Sequence, residues 1–391
     1  MLSLLNRFYT SFSPPMAEKK NNAIKFGILG AAKIAPMAMI NPAKSHPEVV
    51  VQAIAARDRA RAEEFAKKHG VPDVRDTYQE IIDDPNIDAV FIPLPNGLHY
   101  EWATEANLLF NLPELSPSTS QPNPPVLLEA FHNRFHPALH KFLTFVTPAD
   151  VVHVHTDSMV PWWFTAKDDL EFNYKLGGGS IMALGTYNFA VLRMIFGGEP
   201  EECLTCDTSV FGDGIHDQCD YTFKAQFRFP NGIGETTSTL RGSILWKPSE
   251  ARVTHKEVVV PDKTLPGDQE KVRTRQVTLH GFMHAILWHR IDVKDTYVVR
   301  HMADGRPIKK WVESSSHKAY THKDAGGEFA DLPSEDWWIS YRHQLEAFVN
   351  RIKGRKAHYW VTGEDSIKQM RMVDMAYEKS GLGLRPTSSF R

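Results

Sequence analysis

Two stretches of this sequence combine small residues and polar side chains at spacings that could hold and transform a ligand. The first runs Ile24-Lys25-Phe26-Gly27-Ile28-Leu29-Gly30-Ala31-Ala32-Lys33-Ile34-Ala35-Pro36. Its apolar run Phe26, Ile28 and Leu29 reads as a buried strand, Gly30 as the tight turn after it, and Ala31 to Ala35 as the first turn of a helix. Free backbone N–H groups at a helix start, under small side chains, let a pyrophosphate approach the main chain closely. The spelling Gly30-x-Ala32-x-x-Ala35 departs from a full G-x-G-x-x-G, and a strand–turn–helix unit that binds nothing can carry it too. The second stretch is Gly177-Gly178-Gly179-Ser180-Ile181-Met182-Ala183-Leu184-Gly185-Thr186-Tyr187. Its three glycines would let backbone pass close to a ligand, and the residues after them read as a buried helix.

Three further groups of residues bear on chemistry. Dinucleotide sites for NAD place Asp or Glu at the end of the second strand to hold the ribose hydroxyls. Here Ala55-Ala56 occupies that place and Arg57 follows. A guanidinium suits a 2′-phosphate, which favours NADP; Arg57 as a solvated helix-start residue, with Asp58 supplying the acid, is the alternative. His132, His136 and His140 recur every four residues like a metal-binding helix face, but Pro137 interrupts a helix there and no carboxylate partner is evident, so no metal site is expected. Cys203-x-x-Cys206 has no second pair, and with Cys219 it reads as a set of reduced thiols in an intracellular enzyme.

The elements that must position these residues alternate. Val49 to Ala55 is a second buried strand, Arg57 to His69 a helix ended by Gly70, and Thr77 caps a helix through Ile82. Ala89 to Ile92 is a third strand, and Pro93-Leu94-Pro95-Asn96-Gly97-Leu98-His99 follows it at the carboxyl edge where ligands sit. Strands alternating with helices predict a doubly wound parallel sheet. Further on, Val151 to Thr156, Tyr221 to Phe229 and Glu235 to Leu240 alternate as strands, with Asn231-Gly232 as a hairpin signal between the last two. Trp337 to Ile352 and Gly363 to Lys379 read as amphipathic helices.

A chain of 391 residues calls for two domains. The predicted boundaries are a disordered tail over 1–22, a dinucleotide-binding domain over 23–135 and a second domain over 136–391. Hydrophobic residues at 42% and charged residues at 24% are those of an ordinary globular protein. A net charge of −2 gives no electrostatic reason to expect nucleic acid or an acidic membrane as partner. No apolar run stands out at the ~20 residues a membrane span needs. Met1 to Pro15 faintly resembles a transit peptide, and Met16 could equally be the functional start. A tail and a cytoplasmic address are the expectation.

Gly27 to Ala35, Ile87-Asp88-Ala89-Val90-Phe91-Ile92-Pro93-Leu94-Pro95-Asn96 and Glu129-Ala130-Phe131-His132-Asn133-Arg134-Phe135-His136-Pro137 together resemble the Gfo/Idh/MocA oxidoreductase family. The branch resembled is that of NADP-dependent D-xylose dehydrogenases and dimeric dihydrodiol dehydrogenases, and the similarity runs from Ile24 to about Leu384. The resemblance implies an α/β protein. An N-terminal Rossmann fold would precede an α/β domain whose large, mostly antiparallel sheet floors the active site and serves as a homodimer face. It implies that Gly30, Ala32, Lys33, Ile34, Arg57, Pro93, Asn96 and His99 hold NADP, that Arg134 and His136 line the substrate pocket, and that Tyr187 is the acid/base. Oxidation of a sugar or dihydrodiol hydroxyl follows, with D-xylose to its lactone as the specific expectation.

The chain departs from the family pattern twice. Ala183 stands where the family has an Asp before the tyrosine. From Thr104 to Pro125 the family completes a helix, adds a parallel strand and ends it in Glu-Lys-Pro, whose lysine is catalytic. No Glu-Lys-Pro occurs in this sequence, and no lysine falls between Lys68 and Lys141. About 15–20 residues, a strand and part of a helix, are missing by ordinary element lengths. Low activity is therefore expected, with Tyr187 near its ordinary pKa; a non-catalytic dinucleotide-binding relative is the alternative.

Overall fold

The computed structural model describes residues 2–109, 126–285 and 288–386. Four parallel strands form the first sheet: β1 (Ile24–Leu29), β2 (Val49–Ala55), β3 (Asp73–Arg75) and β4 (Ala89–Phe91), in the order β3-β2-β1-β4. Parallel strands need crossovers, and helices Arg59–His69 and Tyr78–Ile82 supply two of them. Asp58 caps the first by accepting the Arg61 N–H, and Thr77 caps the second by accepting the Glu80 N–H. Gly70 ends the first in the left-handed region. The expected order of elements is therefore present, with β4 one residue shorter than the sequence pattern. Among the described residues β4 is the edge of this sheet. The expected loss of a strand falls mostly on residues 110–125, outside the described residues.

Both faces of this sheet are covered. Ile24, Phe26, Ile28, Val49 and Ile54 pack with Met39, Ile40, Leu345 and Val349 on one side. Leu29, Ala53 and Ala55 pack with Ile81, Ile82 and Ile87 on the other. Leu345 and Val349 belong to the late helix Ser340–Ile352, so the chain returns to complete the N-terminal core.

The second sheet holds β5 (Val151–Pro161), β6 (Glu202–Ser209), β7 (Thr222–Phe229), β8 (Gly232–Gly242), β9 (Glu250–His255), β10 (Val258–Val259), β11 (Gln269–His280), β12 (Arg290–His301) and β13 (Pro307–His317). Its order is β13-β12-β11-β9-β5-β8-β7-β6, with β10 paired to β11. Only β5 and β8 pair in parallel; every other pairing is antiparallel. Phe229 pairs with Gly232, so the tight turn is Pro230-Asn231, one residue earlier than the Asn231-Gly232 signal. Proline's fixed φ suits the first central position of such a turn. Helices Thr186–Phe196 and Gly363–Ser380 cover one face, where Phe189, Phe223 and Phe227 are fully buried. Burial of one such ring contributes about 1.5–3 kcal/mol. The stretch Tyr174–Phe196 is long and apolar enough to span a bilayer, contrary to expectation, but 78% of its apolar window is buried inside the protein.

Where the sequence reading expects a disordered tail, Leu2–Phe12 is a helix. Ser11 Oγ donates to the Trp337 carbonyl at 2.8 Å and the Arg7 guanidinium lies 3.6 Å over the Tyr320 ring.

Candidate active site

The strands of the first sheet all run one way, so the residues after β1, β2 and β4 share one edge. Gly30 makes the turn after β1 at φ +113°, and its N–H donates to the Ala55 carbonyl at 2.7 Å. An added Cβ would lie 3.0 Å from Leu94 Cδ2, so a side chain here would be strained in backbone and crowded. Helical structure starts later than the sequence pattern. Ala31 and Ala32 lie outside any regular element, Lys33 and Ile34 turn, and a π-type turn over Pro36–Ile40 closes with the Asn41 N–H on the Pro36 carbonyl. Pro36 and Pro42 supply no N–H, which accounts for the irregular ladder. Ala31 and Ala32 present no bulk over the turn. Lys33 and Ile34 are exposed, and Lys33 Nζ lies 3.6 Å from Asp169 Oδ1. Arg57 is exposed after β2 and enters no ion pair among the described residues. Its backbone meets the Tyr78 hydroxyl, which lies near the Gly30 turn. This half of the edge fits the adenosine and pyrophosphate of a dinucleotide.

The loop after β4 closes the edge. His99 Nε2 bonds to the Leu94 carbonyl at 2.6 Å and ties Pro93–His99 into a compact turn. Asn96 and Gly97 reach the second domain: a Cβ on Gly97 would lie 3.0 Å from the Lys175 carbonyl oxygen, and one on Gly177 3.2 Å from Asn96 Cβ. Gly177 thus meets the candidate cofactor loop. The other two glycines serve a different purpose from the one the sequence implies. A Cβ on Gly178 would meet the Glu171 carbonyl, and Gly179, at φ +123°, is walled by Asp220, Tyr377 and Arg385. The Ile181 N–H donates to Asp220 Oδ2 at 2.7 Å, and burial pushes that carboxyl up to about 7. These glycines admit protein, not ligand.

Tyr187 follows on Thr186–Phe196, half-buried, with its hydroxyl 3.0 Å from His132 Nε2. His132 Nδ1 is 2.7 Å from Ser340 Oγ, and the His132 ring stacks on Tyr341 at 3.9 Å and beside His284 at 5.5 Å. Burial pushes the Tyr187 phenol up to about 12 and holds His132 well below the usual imidazole range. The expectation of an ordinary pKa for Tyr187 is corrected accordingly: among the described residues no charge offsets its desolvation. Ala183 lies half-buried one turn earlier.

Arg134 and His136 do not line this site. Arg134 is buried against Asp365, Tyr359 and Phe131. His136 sits just before helix Pro137–Leu143 and caps it, Nδ1 accepting the Ala138 N–H. His140 Nε2 bonds the Arg134 carbonyl at 2.8 Å. Pro137 starts the helix, so the four-residue spacing of the three histidines is not a helix face. His136 and His140 instead join His289, His322, His343 and His358 in one buried cluster, in which both nitrogens of His343 have no partner. Among the described residues no group of three or more His, Cys, Asp or Glu is arranged to hold a metal. Cys203, Cys206 and Cys219 are buried free thiols; a bulge between Cys203 and Thr205 turns both β6 cysteines inward. His132, Ser340, Tyr341 and His284 were not legible as site residues, because they meet Tyr187 only through the tertiary fold.

Comparison with known proteins accords with this geometry. Residues 24–110 match the Gfo/Idh/MocA model described as an oxidoreductase family with an NAD-binding Rossmann fold, and residues 149–254 match its C-terminal domain. A D-xylose 1-dehydrogenase (NADP(+)) of Haloferax volcanii is 26% identical over 373 residues, covering 92% of this chain and 98% of that protein. A trans-1,2-dihydrobenzene-1,2-diol dehydrogenase of Danio rerio is 29% identical over 222 residues, 52% of this chain and 65% of its own length. In fold, a 3-ketoreductase from Actinomadura kijaniata solved with NADP and TDP-benzene superposes with a TM-score of 0.63 at 17% identity, over 92% of this chain and 98% of that one. With a Rossmann domain followed by this C-terminal domain, the chain belongs to the Gfo/Idh/MocA oxidoreductase family.

Proposed function

We propose that this chain is an NADP-dependent dehydrogenase that oxidises a hydroxyl of a sugar or a dihydrodiol, with D-xylose the first substrate to test. The observation that carries the reading is the contact of Asn96 and Gly97 with Lys175 to Gly177, which joins the dinucleotide edge to the segment leading to Tyr187. Gly30, Ala32, Lys33, Ile34, Pro93, Asn96 and His99 would hold the cofactor's pyrophosphate and nicotinamide ends, and Arg57 its 2′-phosphate. The bound dinucleotide supplies the hydride acceptor. Tyr187 supplies proton transfer at its phenol oxygen, and the packed loops keep water from the reacting carbon. The buried free thiols support a reducing, cytoplasmic setting, and a homodimer formed on the second sheet is part of the same proposal.

A second reading has its own support: a dinucleotide-binding protein without catalysis. Tyr187 at about 12 has no cation beside it among the described residues, and the sequence holds no lysine from residue 69 to 140. One pair of measurements separates the two. NADPH binding is followed by fluorescence, and NADP+ reduction by absorbance with D-xylose and with trans-1,2-dihydrobenzene-1,2-diol. Binding with turnover that Tyr187→Phe lowers supports the dehydrogenase. Binding with no turnover on either class supports the non-catalytic protein.

A further inference from the structure

Tyr187 must shed its own proton if it is to accept one from a substrate hydroxyl. In water that is easy near pH 10, but burial here raises the requirement and no cation among the described residues offsets it. The groups that face the pair are few. Ser340 and Tyr341 come from helix Ser340–Ile352 and His284 from the loop after β11, and His136 is near enough to His132 for their charges to repel. Among the described residues no lysine, arginine, aspartate or glutamate contacts either ring. Among the described residues the one hydrogen-bond partner of the Tyr187 hydroxyl is His132 Nε2, at 3.0 Å, and the opposite nitrogen is held by Ser340 at 2.7 Å.

We propose that His132 takes over the task left by the missing lysine, as the positioning and proton-accepting partner of Tyr187. This rests on the dehydrogenase reading above. The Nδ1–H of His132 donates to Ser340 Oγ, which leaves the Nε2 lone pair facing the phenol. As the substrate O–H gives its proton to the Tyr187 oxygen, the phenol proton passes to Nε2. The substrate C–H bond breaks in the same event, its electron pair leaving as hydride to the oxidised nicotinamide dinucleotide while the C=O bond forms. His132 is left as imidazolium and gives its proton to water when product departs. Carbonyl reduction runs the same steps backwards. A base that is neutral before the transfer leaves the resting site uncharged, where a buried ammonium without a carboxylate is costly, and the same burial drives the imidazolium to release its proton afterwards. Stacking on Tyr341 sets the plane of the imidazole and so the direction of the lone pair.

The test has a binding arm, a catalytic arm and a magnetic arm. His132→Ala is expected to lower kcat by about 10²–10⁴-fold, the usual worth of a positioned proton acceptor, with NADPH affinity unchanged. Added imidazole should restore turnover in His132→Ala, whereas benzene, which fills the same space without a lone pair, should not. In 15N-histidine spectra of the unmutated protein, His132 Nε2 is expected to be bare and Nδ1 protonated, and the Nε2 signal should move in Tyr187→Phe. A protonated Nε2, rescue by benzene as good as by imidazole, or an undiminished kcat in His132→Ala overturns the proposal while leaving the dehydrogenase reading intact. An unmutated chain that turns over neither substrate overturns both. If His132→Ala does not fold, the tautomer in the unmutated protein and the kcat of Ser340→Ala, expected to fall because Nδ1 loses its acceptor, decide the matter.

Discussion

Arg134 and Arg193 share one carboxylate. Arg134 Nη1 lies 2.5 Å from Asp365 Oδ2, and Arg193 Nη2 lies 2.7 Å from Asp365 Oδ1. Both guanidiniums are almost wholly buried, and Arg193 has a second carboxylate in Glu199, while among the described residues Arg134 has only the Tyr359 hydroxyl besides Asp365. Removing one partner of a buried pair costs about 3–5 kcal/mol, because the other charge is stranded. Asp365→Asn should therefore lower Tm markedly with NADPH affinity unchanged. A variant that melts with the unmutated protein but loses substrate binding would return Arg134 to the pocket wall.

Gly179 supports the same helix from another side. Its φ of +123° and the Tyr377 hydroxyl, 2.8 Å from where a Cβ would stand, predict that Gly179→Ala is more destabilising than Gly70→Ala. Gly70 has a positive φ too, but open space around it, so its cost is the backbone term alone, about 1–2 kcal/mol. Equal urea midpoints for the two variants would show that the wall around Gly179 yields freely.

Acid should unfold this protein early. Burial lowers His140, His284, His289 and His322 to about 4 and His358 to about 3. Below the unfolded value of about 6.5 the unfolded chain binds more protons, so the stability these rings contribute is complete above that pH and is lost as pH falls towards 4. Asp220 works the other way, since its raised pKa favours the fold at low pH and that benefit fades as pH rises towards 7. One carboxyl is outnumbered by five imidazoles. Tm is expected to fall by many degrees between pH 7 and pH 5, and a flat profile would mean that the cluster opens to water.

These examples show which parts of the molecule a linear reading reaches. β1, β2 and β4 are legible because buried parallel strands are continuous apolar runs, and Gly30 is legible because a tight turn demands it. Gly179 is visible as a glycine, but its reason is Asp220, 41 positions on, and Arg385 at the far end of the chain. The four-residue spacing of His132, His136 and His140 is rightly set aside because Pro137 starts the helix, yet nothing local shows what His132 does instead. Its partners, Tyr187 and Ser340, are 55 and 208 residues away, a separation that no spacing rule spans. The family resemblance points to Tyr187 and the cofactor edge, but it gives no sign that Arg134 packs on Asp365 or that His136 joins the histidine cluster, since both contacts are tertiary.

The proposed preference for NADP rests on Arg57. It is exposed after β2 and in no ion pair among the described residues, so a 2′-phosphate would meet an available guanidinium. Loss of one charge-assisted contact costs about 1.5–3 kcal/mol. NADPH should bind more tightly than NADH, and Arg57→Ala should narrow the difference by roughly 10- to 100-fold on that figure. Equal affinities in the unmutated protein by fluorescence titration would sink the assignment.

The sharpest prediction concerns the segment that departs from the family. Among the described residues β4 pairs only with β1, and backbone groups left unpaired at such an edge are costly away from water. A family-type helix end, strand and Glu-Lys-Pro grafted between Ala106 and Leu108 should pair that edge and raise Tm. The lysine it brings would place a cation near Tyr187 and draw the phenol down from about 12, so kcat should rise as well. The graft also bears on His132. With a cation to stabilise the tyrosinate, the phenol no longer depends on an imidazole, and His132→Ala should cost less in the grafted protein than in the unmutated one. A double-mutant cycle in kcat reads this difference. Additive effects would mean that lysine and histidine do separate work. An unmutated chain that already turns over at rates ordinary for enzymes, about 1–10³ per second, would show that the missing segment is not a handicap.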